Sequence, residues 1–319
     1  MLPTQKTRYR YPFSPFPSGW FAIGSCEGIH EGQIENLSYF GRELIAFRDA
    51  EKQIRVLNAY CAHLGAHLGI GGTLEEGHVV CPFHGWRYDG RGQCVDIPYS
   101  DHIPPRGKLH AYPVMEWAGL LLVYFSENDT PPSWTPDLPL FDPLEWTVYA
   151  SNRWTVRVHI QEIGENGLDM PHFKTVHSAE VPQMTRAEGI DQTFFISVRP
   201  TADSAQAQYL DGIDRTLWGL GISVNSFEGA VPSRVVITRT PIDEQLSEIT
   251  LVFIPKTQGD AQSTAAFGQA LMEHISKEIE QDVPIWENKA YSEHPALTTG
   301  DGPIAAWRHW CEQFYIKEN

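Results

Sequence analysis

Along its first third, the chain alternates short apolar runs with Gly, Asp and Pro. Leu44-Ile45-Ala46-Phe47, Ile54-Arg55-Val56-Leu57, Val79-Val80 and Leu120 to Tyr124 are too short for helices and are bounded by turn formers, so they predict small antiparallel strands. The stretch Pro131-Pro132-Ser133-Trp134-Thr135-Pro136-Asp137-Leu138-Pro139 ends that pattern, because its four prolines remove backbone donors and fix φ. A domain boundary near residue 130 follows, with domains expected over 1–130 and 131–319. Beyond it, Trp154 to Val158, Thr193 to Val198, Ser233 to Thr240 and Glu248 to Ile254 are β-branched and alternating, which predicts a second antiparallel sheet. Two segments depart from alternation. Residues 161–177 show no period of two, and residues 262–280 carry Phe267, Leu271, Ile275 and Ile279 at four-residue spacing, the stripe of a long amphipathic helix.

Composition removes several partner classes. The 319 residues hold 24 Lys and Arg against 40 Asp and Glu, a formal charge of −16, the wrong sign for neutralising nucleic-acid phosphates. No apolar stretch approaches the ~20 residues of a membrane-spanning helix. Lys6, Arg8 and Arg10 run into Tyr11-Pro12 with no apolar segment between, which argues against a secretory signal. Five cysteines, an odd number, predict reduced thiols or metal ligands rather than a disulfide scaffold, and with them a cytoplasmic location.

Two of the cysteines sit in a pattern. Cys61-Ala62-His63 is followed, after 17 residues, by Cys81-Pro82-Phe83-His84. Two thiolates and two imidazoles can hold an iron–sulfur pair, sulfurs on one iron and imidazoles on the other, or a zinc ion. Zinc patterns usually put the cysteines in one arm and the histidines in the other; alternation within each arm suits a division between two irons. With Gly65, Pro82 and Gly85-Trp86, the segment resembles the Rieske [2Fe–2S] motif. That resemblance implies Cys61, His63, Cys81 and His84 as cluster ligands. Ala66 and Phe83 stand near the places where Rieske proteins of respiratory complexes carry a disulfide, so the cluster is similar to the oxygenase and ferredoxin kind. Its potential is expected at the low end of the roughly −150 to +300 mV span. His67 is expected to pack rather than ligate, and Cys26, Cys94 and Cys311 to be ordinary buried thiols.

A second pattern, D-x2-H-x4-H, joins Asp169, His172 and His177. On an ideal helix a five-residue step turns about 140°, so these histidines meet only if the helix ends or distorts between them. Alone they fit a packed or surface pair as well as a metal site. A cluster that stores one electron performs no substrate chemistry, however, and the remaining chain calls for an electron acceptor. A 2-His-1-carboxylate iron leaves coordination positions open for oxygen and substrate. Taken together, the two patterns resemble the catalytic (alpha) subunit of Rieske non-haem iron oxygenases over nearly the whole chain.

The resemblance implies an α+β fold: an N-terminal all-β Rieske domain with an N-terminal extension, then a helix-grip catalytic domain, an antiparallel sheet around a long C-terminal helix. It implies that His172 and His177 bind a mononuclear Fe(II) with an acid from that helix, among Glu278, Glu280, Asp282 and Glu287. Extending the apolar stripe beyond Ile279 reaches Asp282 and Val283, so Asp282 faces the interior, where a carboxylate is costly unless paired or metal-bound. Pro284 would loosen the helix beside it. The alternative is a solvated acid at the helix end. By the same resemblance, Asp169 bridges a Rieske histidine of one subunit to an iron-bound histidine of its neighbour, which implies a homotrimer, with Glu165 and Asn166 next to the ligands. His159 and Gln161 are expected to be ordinary sheet residues.

Residues 161–169 and 281–289 are similar to segments of cholesterol 7-desaturases, and Asp301-Gly302-Pro303-Ile304 with Arg308, Trp310 and Gln313-Phe314-Tyr315 to bacterial 3-ketosteroid 9α-hydroxylases. These resemblances imply a monooxygenase that uses O2 to hydroxylate or desaturate an unactivated C–H of a hydrophobic polycycle, a steroid or sterol. The membrane segment of the animal desaturases is not expected, and residues 200–229 match neither group. No GxGxxG unit occurs, so NAD(P)H electrons are expected through a separate reductase, with or without a ferredoxin. Two alternatives stay open: oxidative demethylation or cyclisation of a natural product at the same iron, and a non-catalytic Rieske electron-transfer protein.

Overall fold

The computed structural model describes residues 10–147, 150–230, 232–257 and 261–315, the side chains of 261–265 and 267 excepted. Two compact units emerge, one of Ser18–Leu138 and one of Pro139–Asn319 with Met1–Pro17. The division therefore differs from a cut near residue 130 in two ways, each with a local cause. Trp20 Nε1 donates to the Trp134 carbonyl at 3.0 Å, which holds the proline-rich stretch on the first unit. Arg10 donates to the carbonyls of Glu287 and Lys289 at 2.8 and 3.1 Å, which ties the leading segment to the second.

The first unit is built from three small antiparallel sheets. In one, β1 (Gly19–Ser25) and β9 (Val114–Trp117) flank β10 (Leu120–Phe125), whose six residues are all buried as expected of a central strand. In the second, β3 (Arg42–Arg48) lies between β2 (Glu35–Tyr39) and β4 (Ile54–Asn58). The third runs β5 (Thr73–Glu75), β6 (His78–Val80), β7 (Arg87–Tyr88), β8 (Cys94–Asp96). The four apolar runs of the sequence fall within β3, β4, β6 and β10.

The second unit is a seven-stranded antiparallel sheet with helices. Its strands are β11 (Ala150–Val156), β12 (Gln183–Ile190), β13 (Thr193–Arg199), β14 (Leu210–Trp218), β15 (Ile222–Gly229), β16 (Ser233–Pro241) and β17 (Ser247–Pro255), in the order β11-β17-β16-β15-β14-β13-β12. Between the edge strands β11 and β12 the chain forms α1 (Ile160–Asn166) and the single turn α2 (His172–Thr175), then meanders back strand by strand. The long helix α3 (Ala261–Asn288) packs Met272, Ile275, Ile279 and Trp286 onto Val235, Ile249, Leu251 and Phe253 of the sheet. Thus the four-residue stripe does bury; Phe267 lies outside the described side chains. Pro284 does not end α3, and the Asn288 amide caps the Pro284 carbonyl at 2.8 Å. A last helix, α4 (Ile304–Cys311), buries Trp307 against α1, where a Cβ on Gly164 would lie 2.4 Å from the indole, so only glycine fits there.

Alternation alone does not reveal β12, β14 and β15. β12 is an edge strand with mostly exposed side chains, while β14 and β15 carry Asp214, Arg215 and Asn225 where an apolar face would be read. Among the described residues no helix is long and apolar enough to cross a membrane.

Candidate active site

The two Cys/His arms form matching loops, one after β4 and one between β6 and β7. In the first, Cys61 N–H donates to the Ala66 carbonyl at 2.9 Å and Gly65 N–H to the Cys61 carbonyl at 3.0 Å; in the second, Cys81 pairs the same way with Trp86 and Gly85 at 2.9 and 3.1 Å. Gly65 and Gly85 turn both loops at φ of 74° and 73°, a conformation that favours glycine. The loops bring the His63 and His84 rings to 4.7 Å, and Trp86 stacks flat on His63 at 4.8 Å. Cys61 and Cys81 are buried. The Tyr88 hydroxyl accepts from Ala62 N–H at 3.1 Å and lies 3.1 Å from Cys61 Sγ, to which it would donate once the sulfur is a thiolate. Burial pushes the Cys61 thiol up, with the Tyr88 hydrogen bond acting against it. His63 Nδ1 is buried without a hydrogen-bond partner, an orphan that a metal bond would satisfy. Two sulfurs and two imidazoles in paired loops fit an iron–sulfur pair. His67 packs edge-on against Tyr60 at 5.2 Å.

In the second unit, α1, α2 and α3 converge on three side chains. α2 ends at Thr175, between the two histidines, and their rings come to 5.0 Å. Asp282, from the buried face of α3, lies with Oδ1 3.5 Å from His177 Nε2. Ligand atoms of His172, His177 and Asp282 all fall within 4.8 Å of one another. Each imidazole is oriented through its other nitrogen: His172 Nδ1 donates to the Asp169 carbonyl, and His177 Nδ1 to Gln281 Oε1 at 3.0 Å. Both Nε2 atoms thereby turn a lone pair toward the centre, where the Asn166 amide meets that of His172. Asn166, the last residue of α1, donates to Asp282 Oδ2 at 2.8 Å and contacts His172 Nε2 at 3.3 Å. Burial pushes the Asp282 carboxyl up to about 6, against the pull of His177 and Asn166. Burial also lowers His172. A buried carboxylate and two imidazoles form a donor set that one divalent ion fits.

Four other residues named from the sequence take the following places. Asp169 is part exposed, its Oδ2 3.9 Å from His172 Nδ1. Glu165 turns away from the triad to grip Arg308 at 2.6 and 2.9 Å. His159 is no sheet residue: its Nδ1 caps α1 by accepting from Gln161 N–H at 3.0 Å. Gln161, in α1, accepts from the Tyr315 hydroxyl at 2.8 Å. Gln281 was missed as an orienting group, although it adjoins Asp282 and presents the carboxamide such a role needs.

The triad borders a cavity of about 690 Å3 within the second unit. Its walls include Ile213, Phe227, Ile237, Leu271 and Ile275, and two guanidinium groups, Arg215 and Arg239, enter it as well. Its size lies in the range of about 300–1,000 Å3 typical of small-molecule sites.

An iron–sulfur loop pair in one unit and an open 2-His-1-carboxylate centre in the next define a Rieske oxygenase architecture. Residues 19–113 match the Rieske [2Fe–2S] domain and residues 123–315 the 3-ketosteroid 9alpha-hydroxylase C-terminal domain. The chain is 31% identical over 320 residues to a 3-ketosteroid-9-alpha-monooxygenase oxygenase component of Rhodococcus rhodochrous, covering 94% of this chain and 83% of that one. It is 29% identical over 332 residues to cholesterol 7-desaturase of Drosophila melanogaster, covering 94% and 75%. Among solved structures it superposes on Pseudomonas putida CBB5 NdmB with a TM-score of 0.73 at 19% identity, over 92% of this chain and 89% of that one. Dicamba monooxygenase bound to dicamba gives 0.69 at 20% identity, over 93% and 96%. The chain belongs to the 3-ketosteroid 9α-hydroxylase family of Rieske non-haem iron oxygenases. It is accordingly an oxidoreductase with a [2Fe–2S] cluster and a mononuclear iron.

Proposed function

We propose that this chain is the oxygenase component that hydroxylates or desaturates an unactivated C–H of a hydrophobic polycycle of the steroid or sterol class, with NAD(P)H electrons delivered by a separate reductase. The observation that carries this reading is the largely apolar cavity bordered by His172, His177 and Asp282. Cys61, His63, Cys81 and His84 would hold the cluster, and His172, His177 and Asp282 the iron. When bound, the iron supplies O2 activation and the cluster supplies electrons one at a time. The protein's own residues do the rest. Asp169 and Gln281 keep the imidazoles aimed, Asn166 holds the Asp282 carboxylate, and the apolar walls exclude water from the C–H to be broken. The part-exposed Asp169 carboxylate beside His172 supports a bridging role toward a neighbouring subunit, and with it a homotrimer. The relatives named for 3-ketosteroids and cholesterol support the substrate class.

The test is a single turnover of the anaerobically reduced, iron-loaded protein with O2 and a panel of 3-ketosteroids and 3β-hydroxysterols. Gain of one oxygen identifies hydroxylation and loss of two hydrogens desaturation. His172→Ala should cut iron from three to two per chain by our assignment and abolish product, while the cluster spectrum persists. Full iron content with neither mass change would refute the steroid reading.

A further inference from the structure

Two cationic side chains stand out in the cavity because neither forms an ion pair there, although Glu278 lines the same space. Arg234 and Arg199, on β16 and β13, have Glu228 and Asp214 at 2.8 and 3.0 Å. Arg215 and Arg239, on β14 and β16, have no carboxylate within ion-pair distance among the described residues. Arg239 is 4% exposed; it donates to Ser223 Oγ at 2.9 Å and weakly to the Leu220 carbonyl at 3.5 Å, while its Nε is buried with no partner. Arg215 donates from Nε to Asn225 Oδ1 at 2.9 Å. Its guanidinium lies against Gly167, next to Asn166, close enough that a Cβ there would sit 2.0 Å from the nitrogen. Burial depresses Arg215 to about 10, with Glu278 opposing, and Arg239 to about 9, with the charge of Arg215 adding to the effect. Two like charges thus line one largely apolar cavity. Such an arrangement is unfavourable in the empty protein and becomes favourable when an anion enters.

We infer that the cavity takes a hydrophobic acid, a polycyclic body held by the apolar walls and a carboxylate met by Arg215 and Arg239. This deepens the proposed function and rests on its assignment of the cavity to substrate. A ketone oxygen could accept from both guanidinium groups but brings no negative charge to compensate them. A carboxylate offers two oxygens and neutralises one charge, and planar guanidinium groups are suited to holding it. Asn225 fixes Arg215 from behind, which pre-orients its remaining donors.

The experiment measures binding to the iron-loaded protein by calorimetry, for three probes: a 3-oxo steroid with a side-chain carboxylate, its methyl ester, and a tricyclic diterpenoid carboxylic acid. The steroid acid is expected to bind about ten- to a hundredfold more tightly than the ester, the value of a charge-assisted hydrogen bond. In Arg239→Gln and Arg215→Gln that preference disappears, with the ester's affinity unchanged. The ligand-free Arg239→Gln protein should melt no lower than wild type, whereas an arginine with a purely structural role would cost stability when removed. Equal affinity for acid and ester overturns the inference, as does an acid affinity unchanged in folded variants; should Arg239→Gln not fold, Arg215→Gln decides alone. Diterpenoid acid binding without steroid acid binding upholds the inference and removes the steroid reading. Turnover of the ester with no preference for the acid does the reverse, and binding of no probe overturns both.

Discussion

Protonation of His159 should loosen the helix that carries Asn166 to the triad. The ring is buried, accepts at Nδ1 from Gln161 N–H and donates from Nε2 to the Ser14 carbonyl at 3.3 Å, so it is held neutral. Burial drives its pKa down to about 3. The unfolded value is about 6.5, so between these limits the unfolded state binds a proton that the folded state does not. Stability therefore rises with pH through this window and is lost as pH falls below the unfolded value. From pH 7 to pH 5 the loss works out at about 2 kcal/mol, or about thirtyfold in the opening constant. His159→Asn keeps an oxygen that can cap α1 but cannot titrate. Hydrogen exchange of peptides spanning residues 150–166, corrected for intrinsic rates, reads the difference directly. Wild type should lose about thirtyfold more protection than His159→Asn over that interval. Equal pH dependence in the two proteins would refute the reasoning.

Two other outcomes follow from the hydrogen bonds at the metal sites. Tyr88→Phe removes the hydroxyl donor to Cys61 Sγ, which favours the more negative reduced cluster, so its reduction potential should fall in a spectroelectrochemical titration; an unchanged potential would show that the bond does not tune the cluster. Asn166→Ala frees the Asp282 carboxylate and one side of His172, and product formation should drop about ten- to a hundredfold while the [2Fe–2S] spectrum stays the same. Loss of the cluster signal as well would mean that Asn166 serves the fold rather than the site.

What the sequence makes legible, and what it hides, divides along the range of the interactions. The Cys/His arms can be read because ligand and turn residues sit within six positions of each other, and the loop hydrogen bonds close over that same span. Asp282 can be read from the stripe of α3, since a helix period of 3.6 reports which face is buried. The five-residue step between His172 and His177 predicts an interruption, and the structure supplies it where α2 ends at Thr175. Pairings between distant segments leave no such trace. Arg10 reaches carbonyls more than 270 positions away, and Gln281 reaches His177 across 104. β14 and β15 give no apolar alternation because their cavity-facing positions hold Arg215 and Asn225. The polar residues that weaken the strand signal there, Arg215 and Asn225, are ones that line the cavity beside the triad, so the segment from 200 to 229 is least legible as fold where its side chains are turned to the cavity rather than to the core.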